Sequence, residues 1–305
     1  MRIATWNVNS LKARLGKLEE WLSYAKPDVV CLQETKMSDA AFPTMAFTAL
    51  GYESTHHGNG RWNGVAILSR VGIGQARVGF WGEPAESIEE CRMLTAICGG
   101  VRVTSVYVPN GRALASEQYD LKLEWLGRLR DDLVATTAAD EAVVVCGDFN
   151  VAPEDRDVWD ISQFLGATHV SKPERAALRE LEAWGLVDAF RVVYPDVDGL
   201  YSWWDYRSGN FHKGRGMRID LVLVSRALAG RVRYALVDRE ARKGIGSDRP
   251  PSDHAPVFVD IRHLSSTSPD VPPGSATDWG HRGCQCTGSP QRGNQRSSSG
   301  SIERS

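Results

Sequence analysis

Short Val- and Ile-rich runs alternate with amphipathic stretches from Met1 to about residue 262, and few architectures can absorb that alternation. The runs Arg2–Trp6, Val29–Gln33, Val65–Ser69, Val101–Val108, Val143–Cys146, Ile219–Val224 and Val257–Ile261 have the length and β-branched content of strands. In "LKARLGKLEEWL", Leu11, Leu15, Leu18 and Leu22 fall on one helical face. Leu123, Leu126, Leu129 and Leu133 form the stripe of a second helix, and "PERAALRELEAWG" reads as a third, opened by Pro173 and closed by Gly185. The mixture predicts an α/β fold of sheets packed by outer helices. Hairpin-like strand pairs are interspersed, which disfavours a purely parallel doubly wound sheet.

The pattern stops after Leu264, where Ser, Gly, Pro, Arg and Gln take over. A segment so poor in branched apolar residues cannot offset its ordering entropy, so residues 1–262 are expected to form the domain and 263–305 a disordered tail. Cys284 and Cys286 read as two exposed thiols of that tail rather than half a metal site. Cys31 and Cys146 lie in apolar runs and read as core, with no disulfide framework. No apolar run approaches the ~18 residues that span a bilayer, and no signal-peptide pattern opens the chain. A cytoplasmic protein is expected. A net charge of −2 argues against a broad polycationic nucleic-acid binder, but not against a nucleic-acid enzyme whose clustered carboxylates offset a basic face.

Several of these strands end in polar residues unsuited to packing. They are Asn7 and Asn9, Gln33-Glu34-Thr35, Tyr107 and Asn110, and Asp148 and Asn150, while Arg218 and Asp220 open another strand. The adjacent Asp253 and His254 come just before the last strand. Neighbours in a strand point to opposite faces, so those two cannot act together there. Singly each has an ordinary explanation, such as an Asx turn in "GDFN" or an Asp220–Arg218 pair. Together they suit metal-assisted hydrolysis of a phosphate ester. A hard cation such as Mg²⁺, with Mn²⁺ as a substitute, takes oxygen ligands, for which Glu34 is suited and which Asn7 could orient. Asp148 and Asn150 could serve as base and water positioner. His254, Asn150 and Tyr107 could donate to the developing charge, with Asp220 as the carboxylate that orients His254.

The segments "WNVNSLKAR", "PDVVCLQETK", "GYESTHHG", "NGVAILSR", "YVPNG", "GDFNVAP", "GLVDAFR", "SWWDYR", "GRGMRIDLVLVS" and "PSDHAP" occur in order. From Met1 to about Ile261 the chain resembles the exonuclease III family of apurinic/apyrimidinic (AP) endonucleases, within the endonuclease/exonuclease/phosphatase superfamily. The resemblance implies a four-layered α/β sandwich, two packed mixed sheets between helices. It also implies a Mg²⁺-dependent DNA-repair phosphodiesterase that cuts duplex DNA 5′ to abasic sites. Such an enzyme also acts as a 3′→5′ exonuclease and clears damaged 3′ ends.

By the same resemblance, Glu34 is the main metal ligand with Asn7 beside it. Asp148 activates water, Asn150 and Tyr107 face the phosphate, and Asp220 orients His254 on it. Asp253 belongs to a second metal position or to its support, so the metal neighbourhood comprises Asn7, Glu34, Asp148, Asn150, Asp253 and His254. Trp203, with Met217 and Ile219, walls the pocket for a base-free sugar, while Trp204 is core. Asn110, Arg207 and Arg218 contact DNA, with Lys213 and Arg215 nearby. His169 sits on a loop where it could narrow that pocket and favour 3′-end trimming. A monomer is expected. The competing readings are mainly a 3′→5′ exonuclease, another phosphohydrolase of the superfamily, or a DNA-binding member without catalysis.

Overall fold

The computed structural model describes residues 1–84, 88, 90–138, 140–243 and 250–262, so the expected tail with Cys284 and Cys286 lies outside the described residues. The chain opens with β1 (Arg2–Asn7), α1 (Leu11–Ala25), β2 (Val29–Gln33), α2 (Thr44–Ala49), β3 (Glu53–His57) and β4 (Val65–Ser69). Next come β5 (Gly74–Val78), β6 (Met93–Cys98), β7 (Val101–Tyr107), α3 (Glu117–Thr136), β8 (Val143–Asp148) and α4 (Lys172–Trp184). The last third holds β9 (Leu186–Asp188), α5 (Ala189–Val193), β10 (Asp220–Ser225), α6 (Arg226–Ala229), β11 (Val232–Val237) and β12 (Val257–Ile261). Two mixed six-stranded sheets result, ordered β11-β12-β1-β2-β4-β3 and β5-β6-β7-β8-β10-β9.

Each central strand is buried on both faces, so it reads as a continuous apolar run and its period of two emerges only in packing. Ile3, Val29, Cys31, Val103, Val144, Cys146 and Val222 point between the sheets. Ala4, Trp6 and Leu32 face the other way, onto Leu11, Leu18 and Trp21 of α1 and Phe47 of α2. Val106, Val143 and Val145 pack against Leu126, Leu129 and Leu133 of α3 and Leu178 and Leu181 of α4. The layers are therefore helices, sheet, sheet, helices. Leu15 and Leu123, expected in the helical stripes, are only half-buried. Helix α4 starts as its sequence suggests. Ser171 and Glu174 form a reciprocal capping box, and Gly185 follows at the C-cap.

Strands β3, β5, β6, β9 and β11 were not among the expected runs. Four of them are sheet edges, where one side meets solvent and polar residues are tolerated, as in "ESTHH" and "GQARV". The fifth, β6, is interior, and "MLTAIC" carries only two β-branched residues. Gly147 is required by close approach. A Cβ there would lie 1.9 Å from the Val106 carbonyl oxygen on the neighbouring strand. Cys31, Cys91, Cys98 and Cys146 are buried free thiols. Among the described residues no helix is long and apolar enough to cross a membrane.

Candidate active site

The parity that sends Ile3 and Thr5 between the sheets also sends Asn7 there, at the end of β1. The same holds for Gln33 on β2, Tyr107 on β7, Asp148 on β8 and Asp220 on β10. In register, Asn7 lies opposite Gln33, while Asp148 lies opposite both Tyr107 and Asp220. One end of the inter-sheet core is thus a layer of polar side chains, and it closes on itself across the sheets. Asn7 Nδ2 donates to Asp148 Oδ2 at 2.9 Å and to Glu34 Oε1 at 2.8 Å.

His254 arrives on the loop before β12. Ser252 Oγ donates to the Asn7 carbonyl at 2.7 Å and accepts from His254 N at 3.2 Å, and Trp6 Nε1 donates to the His254 carbonyl. So held, His254 places Nδ1 2.8 Å from Asp220 Oδ2 and Nε2 3.8 Å from Asp148 Oδ2. Its sequence neighbour Asp253 points elsewhere, accepting from Asn9 Nδ2 and from Trp203 Nε1. Adjacency in sequence therefore does not make the two a working pair.

The electrostatics follow from burial and charge crowding. Burial raises the Asp148 carboxyl to about 7; His254 opposes that rise, while Asp220 and Glu34 add to it. Burial works against a charged His254, but Asp220 and Asp148 outweigh it and raise the imidazole to about 10. Burial also opposes ionisation of Glu34, yet Lys36, 2.8 Å from Oε2, and the Asn7 amide hold it below the usual carboxylate range. The Tyr107 phenol is pushed well above its ordinary value by burial and by Glu34 and Asp148. Asn9, Glu34, Lys36, Asn150 and His169 all have left-handed backbones, a strain that collects where surrounding structure over-determines it.

The donor set suits a divalent cation. Carboxylate oxygens of Asp148 and Asp220 lie within 4.8 Å of one another beside the charged His254, and among the described residues the buried Asp220 Oδ1 has no hydrogen-bond partner. Three carboxylates crowd about one imidazolium and one ammonium, and Asp148 resists ionisation without further positive charge.

One expectation is narrowed and another needs correction. Asn7 Oδ1 already accepts from Asn9 N at 2.9 Å in an Asx turn, so one lone pair is left for a metal. That bond also settles which way the amide points, leaving Nδ2 to tie the two carboxylates together. Arg218 is not on a DNA-facing surface. It is 1% exposed, with Nε and Nη2 on Asp157 and Nη1 on Asp188 at 2.6 Å. It does not pair with Asp220 either.

Arg218→Met would leave Asp188 buried without a charged partner and Asp157 with Arg191 alone. It is expected to cost about 3–5 kcal/mol in denaturant unfolding, with the salt dependence of DNA binding unchanged.

The other expected positions are placed as follows. Asn150 Oδ1 accepts from Asn110 Nδ2 at 3.1 Å and lies 3.1 Å from His169 Nε2, while Asn150 N donates to Asp148 Oδ1. Burial, and then Lys122, lower the His169 imidazole to about 4, so it is neutral. Trp203 bridges Met217 and His254, with Met217 and Ile219 in a small apolar cluster beside it. Trp204 is fully buried. Arg207 is exposed but doubly bonded to Asp205, and Arg215 lies over the Trp159 ring. Lys36, two residues after Glu34, is a member of the site that sequence pattern does not single out. That pattern also passes over Lys122 and Glu174, whose signal is a charged residue within each helix's buried face.

Two mixed sheets between helices, with a carboxylate and histidine cluster at the strand ends, define a class of metal-assisted phosphoester hydrolases. Residues 4–254 match the model of the Endonuclease/Exonuclease/phosphatase family. The chain is 33% identical over 271 residues to exodeoxyribonuclease III of Haemophilus influenzae, covering 86% of this chain and all of that protein. Among solved structures it resembles an AP endonuclease from Archaeoglobus fulgidus, with a TM-score of 0.80 and 35% identity over 86% of this chain and all of the other. It also resembles the 3′ phosphatase NExo from Neisseria bound to a product DNA hairpin, with a TM-score of 0.79 and 35% identity over 86% and 99%. The chain belongs to the endonuclease/exonuclease/phosphatase family, in its exonuclease III and AP endonuclease branch.

Proposed function

We propose that this chain is a Mg²⁺-dependent DNA-repair phosphodiesterase that cuts duplex DNA 5′ to abasic sites and processes damaged 3′ ends. The observation that carries the reading is the tie of Glu34 to Asp148 through Asn7, with His254 held between Asp148 and Asp220. The reading includes a cytoplasmic protein acting as a monomer, with residues 263–305 outside the catalytic domain.

In this mechanism Asp148 accepts a proton from the attacking water. His254 stays protonated and donates from Nε2 to a phosphoryl oxygen, while Asp220 accepts from Nδ1 and fixes its orientation. Tyr107 stays neutral and is a second donor. Glu34 and Asp148 would hold the cation, which supplies charge neutralisation and polarises the phosphoryl group. Trp203 and Met217 offer an apolar face to a sugar that has no base to unstack.

A specific contact shifts the balance toward 3′ ends. His169 occupies the space beside Asn150 and Asn110, where an extruded internal sugar-phosphate would have to fit. Duplex DNA with one synthetic abasic site and duplex with a 3′-phosphate are to be compared with and without EDTA. Both reactions are expected to require metal, with 3′-phosphate release the faster. His169→Ala is expected to raise abasic incision by about tenfold or more. Binding without cleavage under every metal would remove the enzyme reading. Equal abasic rates in His169→Ala and wild type would remove the role given to His169.

A further inference from the structure

Helix α3 buries a lysine within its apolar stripe, beside Tyr119, Leu126, Leu129 and Leu133. Lys122 Nζ lies 2.5 Å from Glu174 Oε1 of α4, and both side chains are wholly removed from solvent. Burial pulls the ammonium below its usual range. Burial would raise the carboxyl, but Lys122 holds it below the ordinary value. A buried ion pair is commonly no more stabilising than apolar residues of the same volume. Its presence here needs another reason.

The hydrogen bonds supply one. Lys122 Nζ also donates to the Asn150 carbonyl at 2.7 Å and the Asn110 carbonyl at 3.2 Å, and lies 3.4 Å from Thr168 Oγ1. Glu174 accepts from Thr168 Oγ1 at 2.6 Å, from His169 N at 2.9 Å and from Ser171 N at 3.0 Å. One ion pair thus grips the loops after β7, after β8 and before α4. Those loops carry Asn110, Asn150 and His169, whose side chains meet at Asn150 Oδ1. Asn150 presents its carbonyl to the buried ammonium and its side-chain oxygen to Asn110 and His169, a division that its φ of 50° makes possible. An inward-facing carbonyl needs a donor, and Lys122 is the donor.

We propose that the Lys122–Glu174 pair is a positioning device for the reaction, setting Asn110 and Asn150 at the phosphate from beneath the site. The proposal rests on the reading that these asparagines face the scissile phosphate. Lys122→Met combined with Glu174→Met removes both charges, so that no lone ion is left buried. With 3′-phosphate duplex and Mg²⁺, kcat is expected to fall about 100-fold, the scale of a small misplacement of reacting groups. KM is expected to change by less than about threefold, and Mg²⁺ binding measured by calorimetry without DNA is expected to be unchanged. A purely structural pair would instead lower the melting temperature and leave kcat alone below it. If the double variant does not fold, Lys122→Arg decides. It keeps a cation but replaces a rotatable ammonium with a planar fork, and a fall in kcat of about fivefold or more is expected, with the wild-type melting curve within a few degrees. Wild-type kcat in either folded variant overturns the proposal alone. A wild-type enzyme without metal-dependent hydrolysis overturns the functional reading and the proposal with it.

Discussion

Asp148→Asn is expected to lower kcat on 3′-phosphate duplex by about 10³–10⁴-fold, the range lost when a positioned general base is removed. The fold is expected to survive. Asp148 accepts from Asn150 N on Oδ1 and from Asn7 Nδ2 on Oδ2, and an asparagine can satisfy only one of those donors. That loss costs about 1 kcal/mol. It is offset by removal of a buried carboxylate already crowded by Asp220 and Glu34. The melting temperature without metal should therefore stay within a few degrees of wild type, and DNA binding in EDTA should be retained. A rate within about tenfold of wild type would remove Asp148 from the role of base.

His254→Ala is expected to cost about 10²–10³-fold in kcat, the effect of losing one preorganised donor to a developing oxyanion. The structure adds a stability cost that sequence alone did not suggest. Without the imidazole, Asp220 has a buried carboxylate that, among the described residues, lacks a partner at Oδ1 and loses its side-chain donor at Oδ2. Breaking such a pair costs about 3–5 kcal/mol. The double variant His254→Ala, Asp220→Asn is expected to recover much of that stability with no further loss of rate. Asp220 acts through His254, and effects within one unit do not add. An independent, multiplicative loss in the double variant would show that Asp220 has a task of its own. Single-turnover rates and thermal melts of wild type, His254→Ala, Asp220→Asn and the double variant decide it.

Much of the site was legible because strand ends are local. Glu34, Tyr107, Asp148, Asn150 and Asp220 each stand where an apolar run stops or starts, and a polar residue there invites a question. Arg218 invited the wrong answer for the same reason. It looked like surface charge beside a glycine loop, and only Asp157 and Asp188, 61 and 30 positions away, reveal it as an internal tie. Asn7 stands out by residue type as a ligand, but the Asn9 backbone already takes one lone pair of its oxygen. Lys122 was hidden by its neighbours, since Leu123 continued the stripe while the helix turned Lys122 inward.

The sequence by itself determined the layers. Period-two and period-3.6 patterns are properties of neighbouring residues, and once a strand's inward parity is set by Ile3 or Cys146, Asn7 or Asp148 must share it. Tertiary structure decided which of these rows meet. The distance from Asn7 to Asp148, the turn of His254 toward Asp220 and away from Asp253, and the grip of Lys122 on three loops all depend on chain segments brought together by packing two sheets. Such contacts close loops of tens to hundreds of residues, and no local spacing encodes which closure the core will favour.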